Sequence, residues 1–243
     1  MSGIFSTIFY QPLYNALVFI LSVVPGGNVG VALIVLTVAV RFLLLPFAHK
    51  SVVSQHKMRE IAPHIEKLKQ DHKDDKQEQA RRTMELYKEH GINPFSGCLL
   101  LFIQLPIIIA LYWVFSRGLP NLDTASTLLY SFVHLPASVG TAFLGINLSG
   151  KSFILAALAA ITQYFQIKLS MPATPAVAKG SNPSFKDDFS RSLNLQMRFM
   201  LPLVVFFISY SISAAIALYW TTTNLFSVVH FMYVKRKAEE VKK

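Results

Sequence analysis

The chain has a single cysteine, Cys98, in 243 residues, which excludes an internal disulfide framework and a cysteine-built zinc site. Charge is scarce too. Charged residues make up 15% and hydrophobic residues 53%, with 19 Phe, a balance that points to a bilayer rather than to a soluble domain. Acidic residues are missing from every long apolar run, namely 29–48, 97–117, 152–171 and 199–234. No Gly-x-Ser-x-Gly occurs, and His134 and His230 have no evident nucleophile partner, so nothing supports an intramembrane protease. His49, His56, His64 and His72 recur at intervals of 7 and 8 residues, whereas ligands on one helix stand three or four apart. They read as a solvated face, and no metal or cofactor is expected. A formal charge of +10 suits nucleic acid in principle, but the cations cluster between apolar segments, as in loops facing anionic lipid. No specific DNA partner is expected.

What is present is a set of spans. A crossing takes about 20 apolar residues, and 29–48, 97–117 and 152–171 each supply them. The run 199–234 holds 36 residues without Lys, Arg, Asp or Glu, about 54 Å as one helix against a hydrocarbon core of ~30 Å. It therefore reads as the fourth and fifth spans, with a break near Ser209–Ser213. Residues 1–28 carry Ser6, Thr7, Tyr10, Gln11, Pro12, Tyr14 and Asn15 in their first half. The apolar stretch that remains is too short to cross, and the segment reads as an N-terminal interfacial amphipathic helix on the outer side. No Lys or Arg precedes Arg41, so the charged region that opens a secretory signal peptide is lacking.

Between the spans, residues 49–96 read as a cytoplasmic helical hairpin that receives a partner. One arm carries the stripe Ile61, Ile65 and Leu68 and the other Ala80, Met84 and Tyr87, with a turn at His72–Asp75 and a stop at Gly91 and Pro94. Residues 118–151 form an outer loop, 172–198 a flexible cytoplasmic loop rich in Pro, Ala, Gly, Ser and Asn, and 235–243 a basic tail. Counting Lys168 with the second, the three cytoplasmic segments hold 10, 5 and 5 of the 23 Lys and Arg residues, leaving Arg117 and Lys151 outside. That asymmetry places the N-terminus outside and the C-terminus in the cytoplasm. The tail suits either anionic lipid or an RNA-rich partner such as a ribosome.

Arg41 lies well inside the first span with no acidic residue in any span to pair with it. Facing lipid would cost between ~2.5 and 17 kcal/mol. One solution is snorkelling along the helix toward Lys50, nine residues away. The other is a wet cavity, which further polar residues support: Thr37 one turn earlier on the same face, Gln104 in the second span, Thr162, Gln163 and Gln166 in the third, and Thr221, Thr222, Thr223 and Asn224 after Tyr219 and Trp220 in the fifth.

These segments resemble the YidC family of membrane-protein insertases, relatives of the Oxa and Alb insertases of organelles. The resemblance is carried by "FYQPLYNAL", "LTVAVRFLLLP", "KEHGINPFSGCLLLFIQLPIIIALYWV", "ITQYFQIKL" and "ALYWTTTNLFSVVH", and it covers nearly the whole chain. It implies an all-α integral membrane protein of the bacterial cytoplasmic (inner) membrane, with five transmembrane helices around a hydrophilic groove open to cytoplasm and lipid but closed outside. Arg41 would sit at the centre of that groove with Thr37 beside it, Gln163 from the third span and Trp220 from the fifth. Gln104, Gln166, Tyr219 and Asn224 join them as candidate groove residues. The implied activity is insertion and folding of nascent membrane proteins without covalent catalysis, alone or with the Sec translocon, with ribosome and lipid as further partners. Two departures stand out. "SISAAIALYW" replaces the Phe-Pro-Ala-Gly corner of many relatives, and residues 1–28 cannot hold the large extracytoplasmic domain of many Gram-negative members. The competing reading is an anion transporter or channel using Arg41 as its site, but internal repeats and matching broken spans are not evident.

Overall fold

The computed structural model describes residues 3–72, 75–93, 96–119, 127–170 and 185–241, and they are overwhelmingly helical, as expected. Ser6–Tyr10 is wound as a π-helix and runs directly into α1, Gln11–Val23. Tyr14, Leu17, Val18 and Leu21, spaced as one helical stripe, are all buried in the main core. The polar residues that argue against a crossing have a different use here. Asn15, 2% exposed, donates from Nδ2 to Gln11 O at 2.8 Å and to Leu128 O at 2.9 Å, and its Oδ1 accepts from Tyr130 N at 2.7 Å. Gln11 Nε2 also donates to Leu128 O. Contrary to the expectation that this segment is too short to cross, Ser6–Val23 is a candidate span by length and composition.

The turn Pro25–Gly27 leads to α2, Val29–Leu43, whose first turn is capped by Asn28 Oδ1 accepting from Val31 N at 3.1 Å. The first span was expected to run on to residue 48. Instead the helix bends by 70° at Leu44 into α3, Leu45–Glu60. Pro46 in the first turn of α3 lacks the N–H that a continuous helix would need there, which explains the break. As a single helix α2 is about 22 Å long, shorter than the hydrocarbon core.

The segment 49–96 also divides once more than the sequence suggests. The first arm breaks at Ile61 before α4, Ala62–Asp71, and α5, Lys76–Glu89, packs back on α4 with Asp75 Oδ1 capping Gln77 N and Glu78 N. Pro63, in the first turn of α4, marks the extra break as Pro46 marks the other. The expected second span falls on α6, Ser96–Trp113, continued by a π-helical turn over Val114–Gly118. A two-residue hairpin, β1 Ala142–Phe143 with β2 Ile146–Asn147, lies in the outer loop. The third span is α7, Phe153–Ser170.

The last 36-residue apolar run does break, between α8, Phe185–Ile212, and α9, Ala214–Val241, at Ser213. Helix extends further than expected at both ends. Residues 185–198 belong to α8 rather than to a loop, because no proline or glycine interrupts the sequence there, and the basic tail continues α9 to Val241. The remainder of the loop, 171–184, lies outside the described residues. The altered corner is held by the outer loop: Ala214 N donates to Gly150 O at 2.7 Å and Ala215 N to Leu148 O at 3.0 Å. Those carbonyls satisfy N–H groups that the start of any helix leaves orphaned.

Helix α9 is the hub. It packs on α7, α2, α8 and α3, and Ala214, Ala215, Ile216 and Ala217 are buried on every side. On α7, Ala156 and Ala159 are fully buried in turn. Small residues at these positions let two backbones approach closely, which is how helices hold together where lipid removes the hydrophobic drive between them.

Candidate functional site

Polar side chains meet at the centre of the bundle in three separate sets. The first contains Arg41. It lies in the last turn of α2, so the 70° bend just beyond it places the guanidinium near the negative end of a helix dipole. Its Nη2 donates to Gln104 Oε1 on α6 at 2.8 Å, and Gln104 Nε2 donates in turn to the Tyr219 hydroxyl on α9. Arg41 thus turns across the bundle rather than along its helix toward Lys50. Among the described residues it forms no ion pair; its partners are neutral. The amide neutralises nothing, and the positive charge is kept.

The second set joins α7 to α9. Asn224 Nδ2 donates to Ala159 O and Thr162 Oγ1, both at 3.3 Å, while the Thr162 hydroxyl donates to the carbonyls of Leu158 and Ala159. Asn224 is buried, and these bonds give it the tie between helices that a polar residue inside a bundle ordinarily makes. The third set runs along α7: Gln163 Nε2 donates to Gln166 Oε1 at 3.1 Å, and Gln166 Nε2 to Ser170 Oγ at 3.3 Å. No hydrogen bond connects Gln163 or Gln166 to Arg41 among the described residues. Thr37, 2% exposed, spends its hydroxyl on Leu33 O at 2.6 Å, a back-bond within its own helix. Trp220 is half-buried against the apolar core.

Sequence reasoning names these polar residues but not their pairings. It also misses the ties to the 118–151 loop made by Asn15 and Gln11 and by Asn28, whose Nδ2 donates to Ala142 O at 2.9 Å. A further omission is a pair of histidines on α3 and α9, with His49 Nδ1 and His230 Nε2 3.2 Å apart. The only signal available for the first was that Gln11 and Asn15 stand one turn apart; for the second there was none.

The 60Kd inner membrane protein family matches residues 20–242. The chain is 35% identical over 221 residues to the membrane protein insertase YidC of Clostridium tetani (strain Massachusetts / E88), covering 90% of this chain and 87% of that one. It is 32% identical over 203 residues to the membrane protein insertase YidC of Francisella tularensis subsp. novicida (strain U112), covering 83% of this chain but 31% of the longer relative. A family match across nearly the whole length, with the same breadth of identity to the Clostridium protein, leaves one conclusion: the chain belongs to the 60Kd inner membrane protein family, the YidC family that its motifs resemble.

Proposed function

We propose that this chain is a membrane-protein insertase whose polar interior lowers the barrier to moving the hydrophilic flank of a client across the hydrocarbon core. The observation that carries the reading is the state of Arg41, a guanidinium inside an apolar bundle that is held in place by Gln104 yet not neutralised. A fixed positive charge with neutral partners attracts acidic residues in a passing flank. In a partly dry enclosure that attraction is stronger than in water. The apolar part of the client then moves into lipid, with roughly 25 cal/mol per Å² of apolar surface as the driving term.

Arg41, Gln104 and Tyr219 would form the charged centre of the groove. Thr37, Gln163, Gln166, Trp220 and Asn224 would line it or brace its walls. Five spans, α2 with the start of α3, then α6, α7, α8 and α9, would surround it, with α1 lying in the outer interface, the N-terminus outside and the C-terminus in the cytoplasm. Nascent membrane proteins and lipid are the partners this activity requires, and the basic end of α9 and the α4–α5 hairpin are the surfaces a ribosome would meet; the Sec translocon is a further candidate.

Reconstitution of the purified chain into liposomes tests the reading. A short single-span client with an acidic flank should insert, measured by protease protection, in liposomes that show no added anion flux. Anion flux without client insertion would make the chain a transporter instead.

A further inference from the structure

We propose that Gln104 is a placeholder ligand for Arg41, displaced by a carboxylate of the client flank and restored once that flank has passed, so that it sets which flanks the charged centre accepts. The inference deepens the insertase reading above and rests on it. It is carried by the geometry of the amide between Arg41 and Tyr219. Among the described residues, Arg41 makes one side-chain hydrogen bond, from Nη2 to Gln104 Oε1 at 2.8 Å. A guanidinium carries further N–H donors in a fixed fork, and none of those of Arg41 is among the buried groups left without a partner. They face accessible space.

A carboxylate can therefore approach the open side of the fork while Gln104 still holds Nη2, and then take the place of the amide with two parallel bonds. Charge favours that exchange, because hydrogen bonds to ionised groups are roughly twice as strong as neutral ones. The exchange is also reversible, because the amide stays at hand. Gln104 Nε2 donates to the Tyr219 hydroxyl, and Tyr219 is 3% exposed, whereas Arg41 and Gln104 are both partly exposed. The amide thus has an anchored end and a free end.

Its polarity is fixed as well. A guanidinium has no acceptor, so the amide oxygen has to face Arg41 and the nitrogen is left for Tyr219, which acts as a positioning residue. Glutamate in place of Gln104 fits the same two neighbours: one carboxylate oxygen would accept from Arg41 and the other from Tyr219, since a hydroxyl donates as readily as it accepts. Such a permanent ion pair would cancel the charge that an acidic flank needs. Leucine there would do the opposite and leave Arg41 with no placeholder.

The full chain in liposomes, offered single-span clients that differ only in an Asp-Asp or Asn-Asn flank, tests this by protease protection. The parent should prefer the acidic flank, and in Q104E the acidic-to-neutral ratio should fall about tenfold, whatever that variant does to the neutral client. Residence is read with a client arrested by a folded domain beyond its acidic flank, by photocrosslinking of the flank to α6 after a chase. It should last about fivefold longer in Q104L than in the parent, and Y219F should shift it the same way by less. An undiminished acidic-to-neutral ratio in Q104E, or residence in Q104L no longer than the parent's, overturns the proposal. If Q104E inserts neither client, the residence in Q104L decides alone. A parent without acidic preference, or an R41A variant that keeps it, would instead sink the reading of Arg41 on which the placeholder rests.

Discussion

At the scale of single residues, the main asymmetry is that Arg41 is oriented by a hydrogen bond yet forms no ion pair among the described residues. Gln104 fixes Arg41 by one hydrogen bond, and Tyr219 fixes Gln104. If charge rather than the guanidinium fork matters, Arg41→Lys should retain much of the insertion activity. Arg41→Ala should lower insertion of acidic-flanked clients by tenfold or more, because two unit charges 4 Å apart interact by ~4 kcal/mol at an effective dielectric near 20, and should affect neutral clients less. Arg41→Glu should be worse for the acidic set. Equal insertion of acidic and neutral clients by the alanine variant, measured in liposomes, would remove the charge from the mechanism. A second residue-scale prediction concerns stability. Asn15→Leu leaves Tyr130 N without its acceptor in a buried site, and each stranded group costs about 1–3 kcal/mol. The thermal unfolding midpoint in detergent should fall clearly. Thr37→Val, which removes only a back-bond to Leu33 O, should leave that midpoint nearly unchanged.

Elements are joined unequally. Helices α7 and α9 are packed through alanines and tied by Asn224, whereas the ion pairs of the α4–α5 hairpin lie within α5 itself. On α5, Glu78 accepts from both Arg81 and Arg82, and hydrogen bonds from Arg81 and then Arg82 hold its carboxyl down to about 2. A carboxylate depressed in the folded state contributes stability above its unfolded pKa of about 4.3, and the contribution is lost as pH falls toward about 2. The group is exposed, so the effect is modest and confined to this helix. Amide exchange in α5 should hold steady from pH 7 to about 5 and quicken between about 4 and 2, without parallel change in α7. Deleting the hairpin should impair client capture and leave the spans folded by circular dichroism.

Much of the element plan was legible. Apolar runs mark α2, α6, α7 and the α8–α9 pair, and Pro46 and Pro63 mark breaks that a reading by apolar length alone passes over. Tertiary use was not legible. Gln11 and Asn15 look like blemishes in an apolar helix until residues 128–130 are seen to bond to them, and nothing in a one-dimensional string indicates that Gln104 faces Arg41 from 63 positions away. The β-hairpin at 142–147 is likewise too short to show an alternating pattern.

For the whole molecule, the distribution of ties defines which end can open. The end proposed to lie outside is stitched: Val29 N donates to Gly140 O, Gly140 N to Gly27 O, Asn28 Nδ2 to Ala142 O, and the first N–H groups of α9 to Gly150 and Leu148. The fit is close enough that a Cβ on Gly27 would meet Ser138 O at 1.9 Å, and Gly27 holds φ +56°, which a side chain would strain. At the other end α3 meets α9 through side chains alone: the stacked rings of His49 and His230, 5.5 Å apart, the buried cluster of Val52, Phe231 and Val234, and His56 and Arg59 against the Phe231 ring. If clients enter from the cytoplasmic side and leave sideways, the outer stitches stay closed during the cycle while the α3–α9 contact has to part. Starting from a Cys98→Ser background, Asn28→Cys with Ala142→Cys, bridged by a short bifunctional thiol reagent, should insert clients as well bridged as unbridged. His49→Cys with His230→Cys should lose most of its activity on bridging and regain it when a cleavable linker is reduced. Comparing each double variant with itself, bridged and released, removes the effect of the substitutions. Loss of insertion on bridging the outer pair alone would mean that the outer loop moves with the client, and would reverse the direction of opening argued from these ties.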